Sequence, residues 1–164
     1  MVAKVEDVEY LVELGIKKPN KAFPKIKQLA QSDDWKVREV AATCLVEIGR
    51  KRPREVITEM TRWVEDNDAN IRRTAVEGLR DIARKEPEAV LPILERAKTD
   101  DDLYVRKAVA HILREISKKN SNLVFDLCRE WTKLNNQNTH WTIKDGMKKL
   151  PTKEQEKLKS LIGG

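Results

Sequence analysis

The chain has only two cysteines and two histidines in 164 residues. No His or Cys stands at metal-ligand spacing, so a structural zinc site is not expected, and no residue pattern asks for another cofactor. Cys44 and Cys128 fall on apolar helix stripes, where a thiol acts as a small buried hydrophobe rather than as a disulfide partner or nucleophile. No apolar run approaches the ~20 residues that a membrane-spanning helix needs. The stretch from Met1 to Gly15 mixes Lys4, Glu6, Asp7 and Glu9 with its apolar residues and does not read as a signal peptide. There is also no linker long or polar enough to divide the chain. These absences lead us to expect one domain, over residues 1–164, in a cytoplasmic protein that does not engage a membrane.

What is present is a repeat. DDWKVREVAATCL (Asp33 to Leu45) recurs 34 residues on as NDANIRRTAVEGL (Asn67 to Leu79), and after 34 more as DDLYVRKAVAHIL (Asp101 to Leu113). Matched apolar sets, such as Val37, Ile71 and Val105, or Ile48, Ile82 and Ile116, step by three and four and so mark one stripe of an α-helix. Each copy follows a cluster of Asp and Asn, whose side chains can bond the first free helical N–H groups. A shorter pattern precedes each copy, with Phe23, Ile57, Leu91 and Phe125 in one row and Ile26, Met60, Leu94 and Cys128 in another. Pro53 and Pro87 stand one period apart, where first helices should begin and a missing N–H costs nothing.

The unit is therefore a helix pair. A period near 34 also fits tetratricopeptide and ankyrin repeats, but the Trp, Leu-Gly and Tyr signature of the first and the Thr-Pro-Leu-His of the second are missing. A short first helix, an Asp/Asn turn and a longer second helix with apolar-Arg near its start read as HEAT-like repeats. The expected fold is all-α, a right-handed superhelix of about four pairs over residues 21–52, 53–86, 87–120 and 121–150. Helices over 2–14, stopped by Gly15, and over 152–162 should cap the ends. Hydrophobic residues at 40% and charged residues at 37% suit a slab one pair thick with much exposed surface.

Thirty-three Lys and Arg against 27 Asp and Glu give a net charge of +6, which permits a polyanionic partner without demanding one. The second helices of such arrays form the inner wall. At 100° per residue, the face opposite the apolar stripe carries Trp35, Glu39, Ala42, Thr43, Val46 and Arg50 in the first copy. A shift of 34 brings Arg73, Glu77, Arg80 and Arg84, and another brings Lys107, His111, Arg114 and Lys118. A basic stripe along a groove suits a phosphate backbone, and duplex DNA is the expected partner of a protein taken to be monomeric. Arg38, Arg72 and Arg106, at the edge of the apolar stripe, are assigned to structure, with Asp34, Asp68 and Asp102 available to bond them. Trp63 and Trp131 are assigned to the core. Trp141 shares the row of Glu39, Arg73 and Lys107, so it either stacks on a base or sugar or packs the end of the array.

These residues resemble the HEAT-like DNA alkylation-repair glycosylases of the AlkC and AlkD type. DWKVREVAA, with Trp35 and Glu39, looks like the family's Trp-x-x-x-acid segment, while ANIRRTAVEGLR (Ala69 to Arg80) and YVRKAVAHILREISKKNSNLV (Tyr104 to Val124) resemble the two following repeats of the AlkC branch. The resemblance implies that Glu39 is the catalytic carboxylate, that Trp35 contacts the sugar, and that Arg73 lies beside the lesion strand. It implies excision of cationic N3- or N7-alkylated purines, with no cofactor. His111 stands where AlkD-type members place a second lesion-site tryptophan, and less sequence precedes the acid repeat than in family members. The alternative is a noncatalytic HEAT-repeat scaffold that binds a protein or DNA.

Overall fold

The computed structural model describes residues 5–163, all helical or in short turns, with no strand among them. Residues 2–4 of the expected first helix lie outside the described residues. The helices are α1 (Val5–Lys17), α2 (Pro19–Ala30), α3 (Trp35–Lys51), α4 (Pro53–Trp63), α5 (Ala69–Glu77), α6 (Arg80–Lys85), α7 (Pro87–Ala97), α8 (Leu103–Ser117), α9 (Ser121–Trp131), α10 (Gln137–Gly146) and α11 (Thr152–Leu161). The pairs are α2 with α3, α4 with α5 and α6, α7 with α8, and α9 with α10, wound as a right-handed array with α1 and α11 at its ends. None of the described helices is long and apolar enough to cross a membrane.

Start signals in the sequence set the pairs. Pro19, Pro53 and Pro87 open α2, α4 and α7. Asp34, Asp68 and Asp102 cap α3, α5 and α8, accepting bonds from the Lys36, Asn70 and Tyr104 N–H groups at 2.9, 2.7 and 2.8 Å. These aspartates thus serve their own helices and are not the partners of the repeated arginines. Arg72 bonds Asp100 of the next turn instead, through two contacts of 2.8 and 3.1 Å, and donates to the Asp66 and Asn67 carbonyls. Arg38 and Arg106 likewise donate to turn carbonyls of Ser32, Asp100 and Asp101.

Packing follows the register with one shift. Ile26, Met60, Leu94 and Cys128 are fully buried, but the row beside them that is fully buried is Ala22, Val56, Val90 and Val124. Of the expected row, Phe23 is buried while Ile57, Leu91 and Phe125 lie at the core's margin, so the first-helix stripe is centred one residue earlier. Trp63 and Trp131 are buried, and each indole N–H donates to a carboxylate, Glu59 and Glu95 respectively. Burial pushes the Cys44 and Cys128 thiols up to about 12, which leaves them protonated and unreactive at neutral pH.

Two expectations about helix limits change. Gly15 does not stop α1, which runs on to Lys17. A Cβ there would come within 2.6 Å of Ile48 Cγ1, so Gly15 is the point where α1 lies directly on α3. LVELGIKKP (Leu11 to Pro19) matches LVEIGRKRP (Leu45 to Pro53) one period on, so this end helix sits in the register of a second helix. The expected helix over 69–84 is divided at Gly78 and Leu79 into α5 and α6, where the Leu79 N–H turns to the Val76 carbonyl. Gly78 packs against Leu45: a Cβ would sit 2.8 Å from Leu45 Cβ.

The second helices are also joined by ion pairs between positions 31 apart. Arg50 reaches Asp81 at 3.1 Å, Arg84 reaches Glu115 at 2.6 Å, and Arg114 reaches Asp145 at 3.0 Å. Glu115 is buried, which alone would raise its carboxyl, but Lys118 and Arg84 hold it down to about 2.

Two outcomes test this packing. Replacing Gly78 by Ala should destabilise the protein, because overpacking costs about 1–3 kcal/mol against a helix-propensity gain of about 1. A urea midpoint equal to or above wild type would show that α3 and α5 can give way. For Glu115, the folded pKa lies below the ordinary 4.5, so its stabilisation is complete above pH 4.5 and is lost as pH falls towards 2. Glu115→Gln should melt several degrees below wild type at neutral pH, with the gap narrowing between pH 4.5 and 2. A gap that stays constant with pH would assign the loss to packing rather than charge.

Candidate nucleic-acid interface

Stacking of the second helices brings Trp35, Glu39, Val46, Arg73, Glu77, Arg80 and His111 around one cleft of about 390 Å³ on the inner wall. α3 supplies the first three, α5 the next two, α6 Arg80 and α8 His111. The face set by 100° steps is thus the face that lines the cleft. Trp35 follows directly on the Asp34 cap, so it projects from the first turn and stays 59% exposed. Glu39 lies one helical turn later, exposed, and takes part in no hydrogen bond or ion pair among the described residues. A lone solvated carboxylate beside an open indole can meet a cationic or electron-poor ligand without first breaking a bond of its own.

Around this pair the charges are mixed. Arg73 points its guanidinium at the Tyr104 ring, 5.2 Å from the centroid, and Lys107 holds the same ring at 5.1 Å. Tyr104 is 53% exposed, and sequence reasoning gave it no role in the site. Its spacing from Lys107, one helical turn, was the available signal. His111 sits between two carboxylates, with Nδ1 3.2 Å from Glu77 and Nε2 3.6 Å from Glu115. Arg80 lines the cleft and has no ion-pair partner among the described residues.

Arg38 also lines the cleft, and its Nε is buried without a hydrogen-bond partner. The reason lies in the register. Arg72 finds Asp100 28 positions on, whereas the equivalent partner of Arg38 is Asp66, which pairs with Lys27 at 3.1 Å. Burial would raise the Asp66 carboxyl, but the Asp68 N–H and Lys27 outweigh it and hold the group below its ordinary value. The equivalent position for Arg106 is Leu134, and its Nε is orphaned too.

The remaining wall residues stand apart from the cleft. Arg84, Arg114 and Lys118 do not form a continuous free basic wall, because each is bonded to an acid of its own or the next helix: Arg84 and Lys118 to Glu115, Arg114 to Asp145. Lys107 is exposed over the Tyr104 ring, which it shares with Arg73, and does not itself line the cleft. Trp141 is half-buried, and the Arg106 guanidinium lies 5.4 Å from its ring, so it packs against that buried arginine and is not brought to the cleft.

Comparison with solved structures places this geometry among known folds. The chain superposes on the Pseudomonas fluorescens alkylpurine DNA glycosylase AlkC, bound to DNA containing an abasic site analog, with a TM-score of 0.78 and 23% identity. That match covers 93% of this chain and 44% of AlkC, so the chain spans less than half the length of that relative. AlkD2 from Streptococcus mutans gives a TM-score of 0.75 at 25% identity, over 92% of this chain and 77% of AlkD2. The smu.31 protein of Streptococcus mutans UA159 gives 0.75 at 26%, over 88% of this chain and 74% of its own. The likeness to the AlkC and AlkD type therefore holds across the fold. No curated protein sequence matches the chain. The family model for HEAT repeats matches residues 23–114, more than half of the sequence and the whole of the cleft, and the chain belongs to the HEAT-repeat family.

Proposed function

We propose that the inner wall binds duplex DNA and that the cleft hydrolyses the N-glycosidic bond of cationic N3- or N7-alkylated purines. The observation that carries this reading is the pairing of exposed Trp35 with unpartnered Glu39 one turn along α3, in a fold shared with an alkylpurine DNA glycosylase. Alkylation at purine N3 or N7 makes the base a cation and a good leaving group, so no general acid is required. What the site must stabilise is an oxocarbenium-like sugar, and an ionised carboxylate does this while directing water at the anomeric carbon. A tryptophan face beside that cationic centre adds about 0.5–2 kcal/mol. Arg73 and Arg80, both lining the cleft, would meet the flanking phosphates, and Lys107 would extend that contact beside Tyr104.

A noncatalytic HEAT-repeat scaffold, binding a protein or DNA, is the second reading. It is favoured by one feature: the acids Asp81, Glu115 and Asp145 answer the bases along much of the wall, which weakens its pull on a polyanion.

Glu39→Gln separates the two. The substitution keeps shape and removes charge, so binding to undamaged duplex should hold or tighten. Release of methylated purines from alkylated duplex should fall by about a hundredfold, the scale of losing one electrostatic stabiliser of about 3 kcal/mol. If wild type releases no cationic base, or the Gln variant releases it equally well, the scaffold reading prevails. Arg80→Ala should also flatten the salt dependence of duplex binding by about one unit. A slope unchanged by that substitution would remove Arg80 from the phosphate path.

A further inference from the structure

A second basic groove lies at the other end of the array, outside the cleft. An open depression of about 640 Å³ between α10, the turn that follows it and α11 is lined by Lys144, Met147, Lys148, Gln155, Lys159 and Ser160. It is a built feature rather than a loose tail. Leu158 is fully buried, and the Gln155 amide donates to the Leu150 and Lys148 carbonyls at 2.8 and 3.3 Å, fixing the first turn of α11 to the turn that follows α10. Lys148 pairs with Asp145 at 2.6 Å, but Lys144 and Lys159 take part in no ion pair among the described residues. Residues 137–163 hold six lysines, Lys144, Lys148, Lys149, Lys153, Lys157 and Lys159, against Asp145, Glu154 and Glu156. That excess of three is half of the chain's net charge of +6.

The groove also continues the inner wall. Lys148 stands one period after Arg114 and two after Arg80, whereas the row of Lys144 is buried at Val76 and Ala110 and reaches the surface at this last pair. Whereas Arg114 is bonded to Asp145, this end presents free ammonium groups again. Helix axes pack at about 8–10 Å, so three steps from α3 to α10 cover roughly 24–30 Å, and at about 3.4 Å per nucleotide this is roughly seven to nine base pairs.

We propose that the lysine groove between α10 and α11 is a second polyanion contact, gripping the sugar–phosphate backbone of a duplex whose other part lies at the cleft. This rests on the DNA-binding half of the function proposed above and is independent of the chemistry at Glu39. Flexible lysines suit such a contact: each offers a point charge to a passing phosphate and reads no base.

The test uses the full chain and undamaged hairpin duplexes of graded stem length, from about 5 to about 24 base pairs, with affinity measured against salt. For wild type the salt dependence should steepen once the duplex can reach from cleft to groove. The paired substitution K144Q/K159Q should flatten the slope by about two on long duplexes and leave short ones unchanged. Both positions are exposed and unbonded, so the fold should be unaffected, which a melting curve checks. On alkylated duplex the same variant should raise KM for long substrates and leave kcat unaltered. Length dependence abolished by K144Q/K159Q in a protein that releases no base would support the groove and overturn only the glycosylase. Equal slopes for wild type and variant at all lengths would overturn the groove and leave the cleft reading intact. No duplex binding at low salt would overturn both. Tight, K144Q/K159Q-sensitive binding of a polyglutamate peptide, without any effect of duplex length, would overturn the groove's assignment to a duplex in favour of an acidic protein segment.

Discussion

Every feature of this molecule depends on how one second helix lies against the next. Equivalent residues recur after 34 positions, and a side chain facing forward meets the following helix a little short of one period on. Leu45 packs on Gly78, 33 positions away, while Arg50, Arg84 and Arg114 reach acids 31 positions away. Because each pair buries its apolar stripe only against its neighbours, no helix here would hold its position alone. The same contact that supplies the core therefore fixes the spacing of Trp35, Arg73 and His111, which stand on three different helices.

That coupling explains why the inner wall is not evenly basic. A bare row of arginines on closely stacked helices would repel itself across a few ångströms. Asp81, Glu115 and Asp145 remove the repulsion and turn it into attachment between repeats, most tightly at Glu115, where Arg84 and Lys118 converge. Among the described residues, the bases that form no ion pair include Arg73 and Arg80 in the cleft, Lys107 on α8, and Lys144 and Lys159 in the far groove. Binding charge on this wall is what interrepeat bonding leaves over.

The same logic separates what could be read from residues and what could not. Helix pairs, caps and the inward face follow from local periodicity; the helical angle puts Trp35 and Glu39 on one face, and the 34-residue shift adds Arg73, Arg80 and His111 to it. The pairing state of each base depends on a residue in the next repeat, which a single helix's periodicity does not contain. By periodicity Arg84 and Arg114 are equivalent to Arg80, and only Glu115 and Asp145 opposite them set them apart. The likeness of Leu11–Pro19 to Leu45–Pro53 was present in the letters, but it covers only the last turns of a helix and lacks the Asp/Asn start that marks the other copies. Gly15 therefore read as a stop, although its missing side chain serves contact with Ile48.

Glu39 gains its interest from this accounting rather than from its identity. Carboxylates elsewhere on the wall have work to do: Glu47 and Asp81 hold Arg50, Glu77 holds His111, Glu115 holds Arg84, and Asp145 holds Arg114 and Lys148. Each already has a partner, which a ligand would have to displace to use the carboxylate. Glu39 lies among Arg38, Arg73 and Arg80, near enough to share their cleft, yet no ion pair is formed with it among the described residues. The fold gains no interrepeat bond from that carboxylate, and so its charge is available to a ligand lodged against Trp35. In a wall where pairing is the rule, an acid left free beside an exposed indole would suit the cationic transition state of the proposed reaction.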